Sequence, residues 1–234
     1  MCGKLNNIRY KIEEGEEMGN NIYSLVLSDE VVDAVDALAH TNGLSRSAMI
    51  NRILAERVAL TTPEMRLQEI MGAVREAMKE CFVLAEMPSA STICARSSLK
   101  YRYKPTARYS VEIYSKNGKR AGEIRVSFRT QNAELIGALS GFFGCWINLE
   151  NKYIAHLLSD DIIFTINDGK FTRTLNMPRE NISDDALGEA VADYMAMLDG
   201  TMKEYFGALP DEAEAQNAAE KFYKSALKQQ AYII

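Results

Sequence analysis

The sequence predicts an α+β protein, and three observations carry that prediction. Residues 21–60 read as one short alternating strand followed by two capped helices. Two turn signals, Asn117-Gly118 and Asn167-Asp168-Gly169, each sit between alternating runs, the strongest short-range mark of an antiparallel hairpin. Stretches with helical apolar spacing separate and follow these hairpins, so hairpins and helices come in blocks. A parallel α/β fold would alternate single strands with helices.

The bounds are those of an ordinary globular chain. A length of 234 residues suffices for one large domain or two modest ones. The formal net charge of −5 gives no bulk attraction to polyanions, so any nucleic-acid binding must come from a local patch. Cys2, Cys81, Cys94 and Cys145 are too scattered for a metal motif and too sparse for a disulfide scaffold. Reduced thiols and a cytoplasmic location are the expectation. The N-terminus lacks the apolar core of a signal peptide. The most apolar run, LIGALSGFFGCWI from Leu135 to Ile147, is shorter than the roughly 20 residues that span a bilayer, so it reads as a buried helix and no membrane partner is expected.

Residues 1–20 are polar, with Glu13, Glu14, Glu16 and Glu17 around Gly15, and read as a flexible arm. From Ile22 the pattern turns to period two. Tyr23, Leu25 and Leu27 share one face of a strand, and Ile22, Ser24 and Val26 share the other. Ser28 is placed to cap a helix whose first turn carries Asp29 and Glu30, where acids complement the helix dipole. Val31, Val32, Val35, Leu38 and Ala39 give it a buried face, and Asn42-Gly43 ends it. Ser45 caps the next helix, with Ala48, Met49, Ile53 and Leu54 as its apolar stripe and Arg46, Arg52 and Arg57 toward solvent. One strand and two short helices bury too little surface to fold alone, so this stretch is expected to work as a homodimer or higher homo-oligomer.

Thr62 and Pro63 suit the cap and first position of a helix, which sets a boundary between a domain at 21–62 and a second at 63–234. The second is predicted to open with a long amphipathic helix over 64–86. PSASTICARSS, 88–98, reads as a small-residue loop. Strands at 99–114 and 122–130 form the first hairpin. A helix at 133–158, a second hairpin at 161–166 and 171–175, and helices at 183–206 and 211–232 complete an order of hairpin, helix, hairpin, helix, helix. An antiparallel sheet with helices on one face follows from that order.

Residues 21–60 resemble the ribbon–helix–helix family of bacterial and phage repressors, the Arc/MetJ-like superfamily. Two features carry the resemblance: the strand entering a capped helix, YSLVLSDEV, and the turn NGLSRSAMI, where Gly43, Ser45 and Ser47 match the family's G-x-S-x-S. The resemblance implies that two chains pair their strands into a ribbon that enters the major groove of double-stranded DNA. It places base contacts at Ile22, Ser24 and Val26. It also implies that Asn42, Gly43, Ser45, Arg46 and Ser47 clamp a backbone phosphate at the start of the second helix. Two departures stand out. Ile22 and Val26 are aliphatic where the family usually has polar side chains. Residues 1–62 also hold six basic against nine acidic residues, a poor balance for phosphate neutralisation.

Other candidate sites are weaker. Lys100-Tyr101-Arg102-Tyr103-Lys104 interleaves cations and rings as a nucleic-acid platform does, but also as a protected strand does. Trp146, Phe142, Phe143 and Tyr153 form an aromatic helix face that could line a pocket for a small-molecule or protein effector, or simply pack in a core. His40 and His156 stand apart from any ligand set, and no nucleophile, phosphate-loop or dinucleotide motif occurs. No metal, cofactor or catalytic site is expected, and the chain does not read as an enzyme. The expected function is a dimeric transcriptional regulator, such as a repressor, with a C-terminal sensing or oligomerisation domain. A DNA-bound accessory protein of plasmid or mobile-element transfer or partition, and a scaffold that uses the module only to dimerise, stay open beside it.

Overall fold

The computed structural model describes residues 22–85, 89–102, 104–114, 118–167 and 169–234. The arm read over 1–20 lies outside the described residues, as do Asn21, Tyr103 and the turn residues Asn117 and Asp168. The chain divides into two units, 1–54 and 55–234. Among the described residues it has six α-helices and a six-stranded antiparallel sheet, an α+β protein as the blocks of hairpins and helices imply.

The first unit contains α1 (Asp29–Thr41) and the start of α2 (Arg46–Arg57). Ser28 holds the N-cap backbone conformation of α1, but its hydroxyl makes no cap hydrogen bond; Asp29 and Glu30 fill the first turn. Val35, Ala39 and Met49 form a small buried cluster against which Leu44, Ile50 and Ile53 pack. The apolar face read from the sequence is only partly covered, since Leu38 and Leu54 stay 48% and 53% exposed. The strand read at Ile22–Leu27 is not formed: this segment pairs with no described part of the chain. A strand exists only when a neighbour completes its ladder of N–H and C=O groups, and nothing in these two helices supplies one.

The second unit includes α3 (Pro63–Met78), capped by Thr62, whose hydroxyl accepts from the Met65 N–H at 3.2 Å. The helix stops at Met78 and not near residue 86, because the chain turns there to lay the two-residue strand β1 (Val83–Leu84) against β2 (Thr92–Ser98). β2 lies in the stretch that reads as a loop. Its small side chains still alternate on a half-buried pleat: Ile93, Ala95 and Ser97 are buried, whereas Arg96 and Ser98 are exposed. β3 (Thr106–Ile113), β4 (Arg120–Phe128), α4 (Ala133–Tyr153) with a 3₁₀ turn at Ala155–Leu157, β5 (Phe164–Asn167), β6 (Lys170–Asn176), α5 (Asp184–Ala208) and α6 (Glu212–Leu227) follow. The sheet order is β1-β2-β3-β4-β6-β5, with every pair antiparallel and the two shortest strands at the edges.

Alternation assigns each strand residue to a face. Tyr109 and Val111 on β3, Ile124 and Val126 on β4, and Phe171 and Leu175 on β6 turn toward the helices and are buried. Phe142, Phe143 and Trp146 of α4 are fully buried in the same core, and Phe143 stacks on Phe171 with ring centroids 4.7 Å apart. Each such ring contributes about 1.5–3 kcal/mol by leaving water. These three aromatics are therefore core, while Tyr153 of the same helix face is only partly buried.

α5 is the central helix. It packs on both α3 and α6, which is why buried residues occur all round it. At Gly188 the α3 backbone comes so close that a Cβ would sit 2.7 Å from the Ile70 carbonyl oxygen and 2.5 Å from the Ala73 Cβ. Gly188→Ala is accordingly expected to destabilise the protein by about 1–3 kcal/mol, through backbone that must move apart. Denaturant unfolding monitored by the fluorescence of Trp146 measures this, and an unchanged midpoint would refute the close packing.

One charged pair is wholly enclosed. Arg173 of β6 points into the helix side, where its Nε donates to Glu150 of α4 at 3.0 Å, both side chains being fully buried. The Tyr194 hydroxyl of α5 donates to the other Glu150 oxygen at 2.7 Å and itself accepts from the Trp146 indole N–H at 3.2 Å. Arg173 Nη2 donates to the Ile234 main-chain carbonyl at 2.6 Å, and the guanidinium lies 4.4 Å from the Tyr194 ring centre. Burial pushes the Glu150 carboxyl above its ordinary range, against the pull of Arg173 and Tyr194. Arg173 is opposed by burial too, but Glu150 and Tyr194 more than offset this and keep it charged. Arg173→Met should cost about 3–5 kcal/mol because it strands Glu150 unpaired, whereas adding Glu150→Met should recover part of that loss. A double-mutant cycle on unfolding free energies tests the coupling; additive losses would show that the pair does not act as one unit.

Candidate functional site

The turn between α1 and α2 is built as the sequence implies. Gly43 takes φ +64°, a conformation that side chains resist, and lets the chain reverse. The Leu44 N–H donates to the Ala39 carbonyl at 2.9 Å, and the Asn42 side-chain amide donates to the Leu38 carbonyl at 2.8 Å. The Ser45 hydroxyl accepts from the Ala48 N–H at 3.3 Å, so Ser45 is the cap of α2. Asn42, Gly43, Ser45, Arg46 and Ser47 are thereby brought to one turn, at the N-terminal end of α2, where helix N–H groups lack intrahelical acceptors. The Asn42 side-chain amide closes α1, however, and is not directed outward for an anion.

Arg46 is also engaged. Its Nε donates to Asp36 Oδ1 at 2.7 Å and its Nη2 to the other carboxylate oxygen, a two-pronged pair on the surface of α1. The Arg46 hydrogen bond holds the Asp36 carboxyl below the usual carboxylate range, and Asp36 in turn holds the guanidinium above its own. An anion at this turn would meet Arg46 already facing a carboxylate. The sequence does not announce that intramolecular competitor, although Asp36 and Arg46 stand on opposite sides of a turn whose geometry it specifies.

Ile22, Ser24 and Val26 lie on the unpaired segment before α1, exposed to solvent. No hydrogen bond among the described residues ties them to the turn.

Of the cation–aromatic run, the described residues Lys100, Tyr101, Arg102 and Lys104 lie between β2 and β3 and outside any strand: Tyr101 packs edge-on against Phe206 at 5.0 Å, and Arg102 pairs with Glu134 at 2.7 Å. Tyr101 is thus half-buried against α5. The register does place Arg96 of β2 opposite Arg108 of β3 on the face of the sheet away from the core. That pairing escapes the sequence because β2 reads there as a loop.

Among the described residues, no group of His, Cys, Asp and Glu is arranged to hold a metal, and no helix is long and apolar enough to cross a membrane. An open depression of about 730 Å³ adjoins Leu67, Glu112, Tyr114, Arg120 and Asp160. It is wide-mouthed and edged with charges, unlike the enclosed apolar sites that bury small ligands.

Compared with protein-family models, with curated proteins and with solved structures, the chain gives no match.

Breaking the Asp36–Arg46 pair should change how this turn meets anions. Asp36→Asn releases Arg46 and removes a negative charge, so the protein should elute from heparin at higher salt than the wild type, while Arg46→Ala should elute earlier. Identical elution of all three proteins would mean that this turn meets no anion.

Proposed function

We propose that the chain is a homodimeric DNA-binding regulator that uses residues 22–57 as a ribbon–helix–helix module. The observation that carries this reading is the unpaired segment Ile22–Leu27 directly ahead of α1. Ile22 and Val26 are fully exposed and Leu25 is 60% exposed, while the two helices beside them bury only a handful of side chains. Leaving Leu25, Leu38 and Leu54 half in water forfeits part of the about 1.5–3 kcal/mol that full burial of each contributes. A second copy recovers it by pairing its own segment antiparallel and interlocking its helices. Such a ribbon presents Ile22, Ser24 and Val26 to the major groove, with the aliphatic pair suited to thymine methyl groups and Ser24 to a base-edge hydrogen bond. The capped start of α2 sits where a backbone phosphate would bind, with Ser45, Arg46 and Ser47 around it.

A second reading is favoured by a specific observation. Arg46 is tied to Asp36 and two of the three groove positions are aliphatic, as suits a module that only dimerises and offers its ribbon to protein.

Salt dependence separates the two. On the DNA-binding reading, the protein behaves as a dimer in light scattering and retards duplexes from the DNA flanking its own reading frame at low salt. Leu25→Asp should yield a monomer with retardation abolished. Arg46→Ala should flatten the slope of log affinity against log salt by about 0.9 for each phosphate that is no longer neutralised. A dimer that retards no such duplex at low salt leaves only the scaffold reading; a wild-type monomer defeats both.

A further inference from the structure

We infer that the open face of the β-sheet in the second unit is a binding surface for the phosphate backbone of duplex DNA, centred on Arg96, Arg108 and Lys170. The choice of DNA over other polyanions rests on the reading of the chain as a DNA-binding protein. The surface itself rests on the register. Arg96 of β2 lies opposite Arg108 of β3, Arg108 opposite Ser127 of β4, and Ser127 opposite Lys170 of β6, so the four residues form one row across the sheet. The row lies on the face away from the core, since Ala95, Tyr109, Val126 and Phe171 in the neighbouring row are buried against the helices. Arg96, Arg108 and Lys170 are all exposed, and Ser127 between them is half-buried.

Three properties set this row apart from ordinary surface charge. Like charges directly opposite on neighbouring strands destabilise a sheet, yet Arg96 and Arg108 face each other and no described carboxylate pairs with either of them or with Lys170. The three cations stand on interior strands, so discouraging edge-to-edge aggregation does not account for them. The acids Glu112 and Glu123 of this face are gathered elsewhere, where both pair with Arg125. The face is therefore polarised, and its cationic end has an unmet demand for anions although the whole chain carries −5. The adjoining turn adds exposed Lys100 and Lys104.

The dimensions and chemistry suit a duplex backbone. Strands spaced about 4.8 Å apart put Arg96 and Lys170 roughly 14 Å from each other, close to four axial steps of one DNA strand at about 3.4 Å each. Guanidinium groups match phosphate oxygens through two parallel hydrogen bonds, and the Ser127 hydroxyl can add a further donor. No described aromatic ring lies in the row, so it offers nothing for unstacked bases and favours phosphates of a duplex over a single strand.

The full-length protein tests this by fluorescence anisotropy with a labelled 30-base-pair duplex over stepped salt. Replacing Arg96, Arg108 and Lys170 by Gln together should flatten the slope of log affinity against log salt by about 2–3, close to 0.9 for each of the three cations removed. Ser127→Arg, which completes the row, should steepen it by about 0.9. Arg108→Gln alone should raise the melting temperature of the free protein while weakening binding, a combination that mere loss of structure cannot produce. If the wild type binds and the triple variant matches it in slope and affinity, the sheet surface is refuted while the ribbon reading stands. Binding that survives Leu25→Asp with Arg46→Ala but disappears on adding the triple replacement supports the sheet surface and refutes the ribbon. A wild type that shows no duplex binding at low salt overturns both.

Discussion

The second unit depends on the enclosed ion pair between Arg173 and Glu150. Arg173 occupies a strand position whose row neighbours are Ile124 and Val111, where an apolar residue would serve the core at no cost in desolvation. The guanidinium instead joins β6 to α4 through Glu150, to α5 through the face of Tyr194, and to the C-terminal segment through the Ile234 carbonyl. A greasy core tolerates several packings of the same helices, whereas a buried charge has one geometry in which it is satisfied. Trp146 and Tyr194 extend the network by one hydrogen bond each, so the positions of α4 and α5 against the sheet are set by direction as well as by volume. Two polar atoms nearby, Arg173 Nη1 and the Tyr223 hydroxyl, have no hydrogen-bond partner among the described residues, which raises the cost of the arrangement further.

How far the sequence announces this fold varies with the physics of each element. The capped helix start at Thr62-Pro63 is the clearest: α3 begins where the cap chemistry says a helix should begin, and the Thr62 hydroxyl accepts the Met65 N–H. The hairpins flanking the two turn signals are legible because their apolar residues alternate strongly. β2 is not. Its buried positions hold Ile93, Ala95 and Ser97, so small and mixed in polarity that the period of two is nearly silent, and serine reads as a loop former until the sheet buries it. The false extension of α3 has a related origin, because Phe82, Val83 and Leu84 continue an apolar trend that helical spacing and a short edge strand both accommodate. Arg173 shares the inward phase of Phe171 and Leu175, but nothing contiguous in the sequence announces Glu150, the carboxylate that makes an arginine tolerable there.

The candidate surfaces divide along the same line. The α1–α2 turn is a local structure, written in Asn42, Gly43 and Ser45, and each of the three makes the backbone arrangement its chemistry predicts. Arg46 belongs to that turn as well, but its partner Asp36 is ten positions away, and the pairing emerges only when two helices fold back on each other. The row of Arg96, Arg108 and Lys170 is more distant still. Its members come from three strands and meet through sheet register alone, which depends on hairpin lengths and on the order of strands. Chemistry that is contiguous in the chain can be read early; chemistry assembled by topology waits for the fold.

The short strands at the two ends of the sheet bear on how copies of this chain can come together. β1 has two residues and β5 has four, so neither border offers a ladder long enough for another sheet to continue. The second unit is in this sense a closed tile: its broad face is open, but its sides are blunt. The exposed apolar segment Ile22–Leu27 lies in the other unit. The unpaired apolar segment and the open cationic sheet face thus belong to different units of one polypeptide.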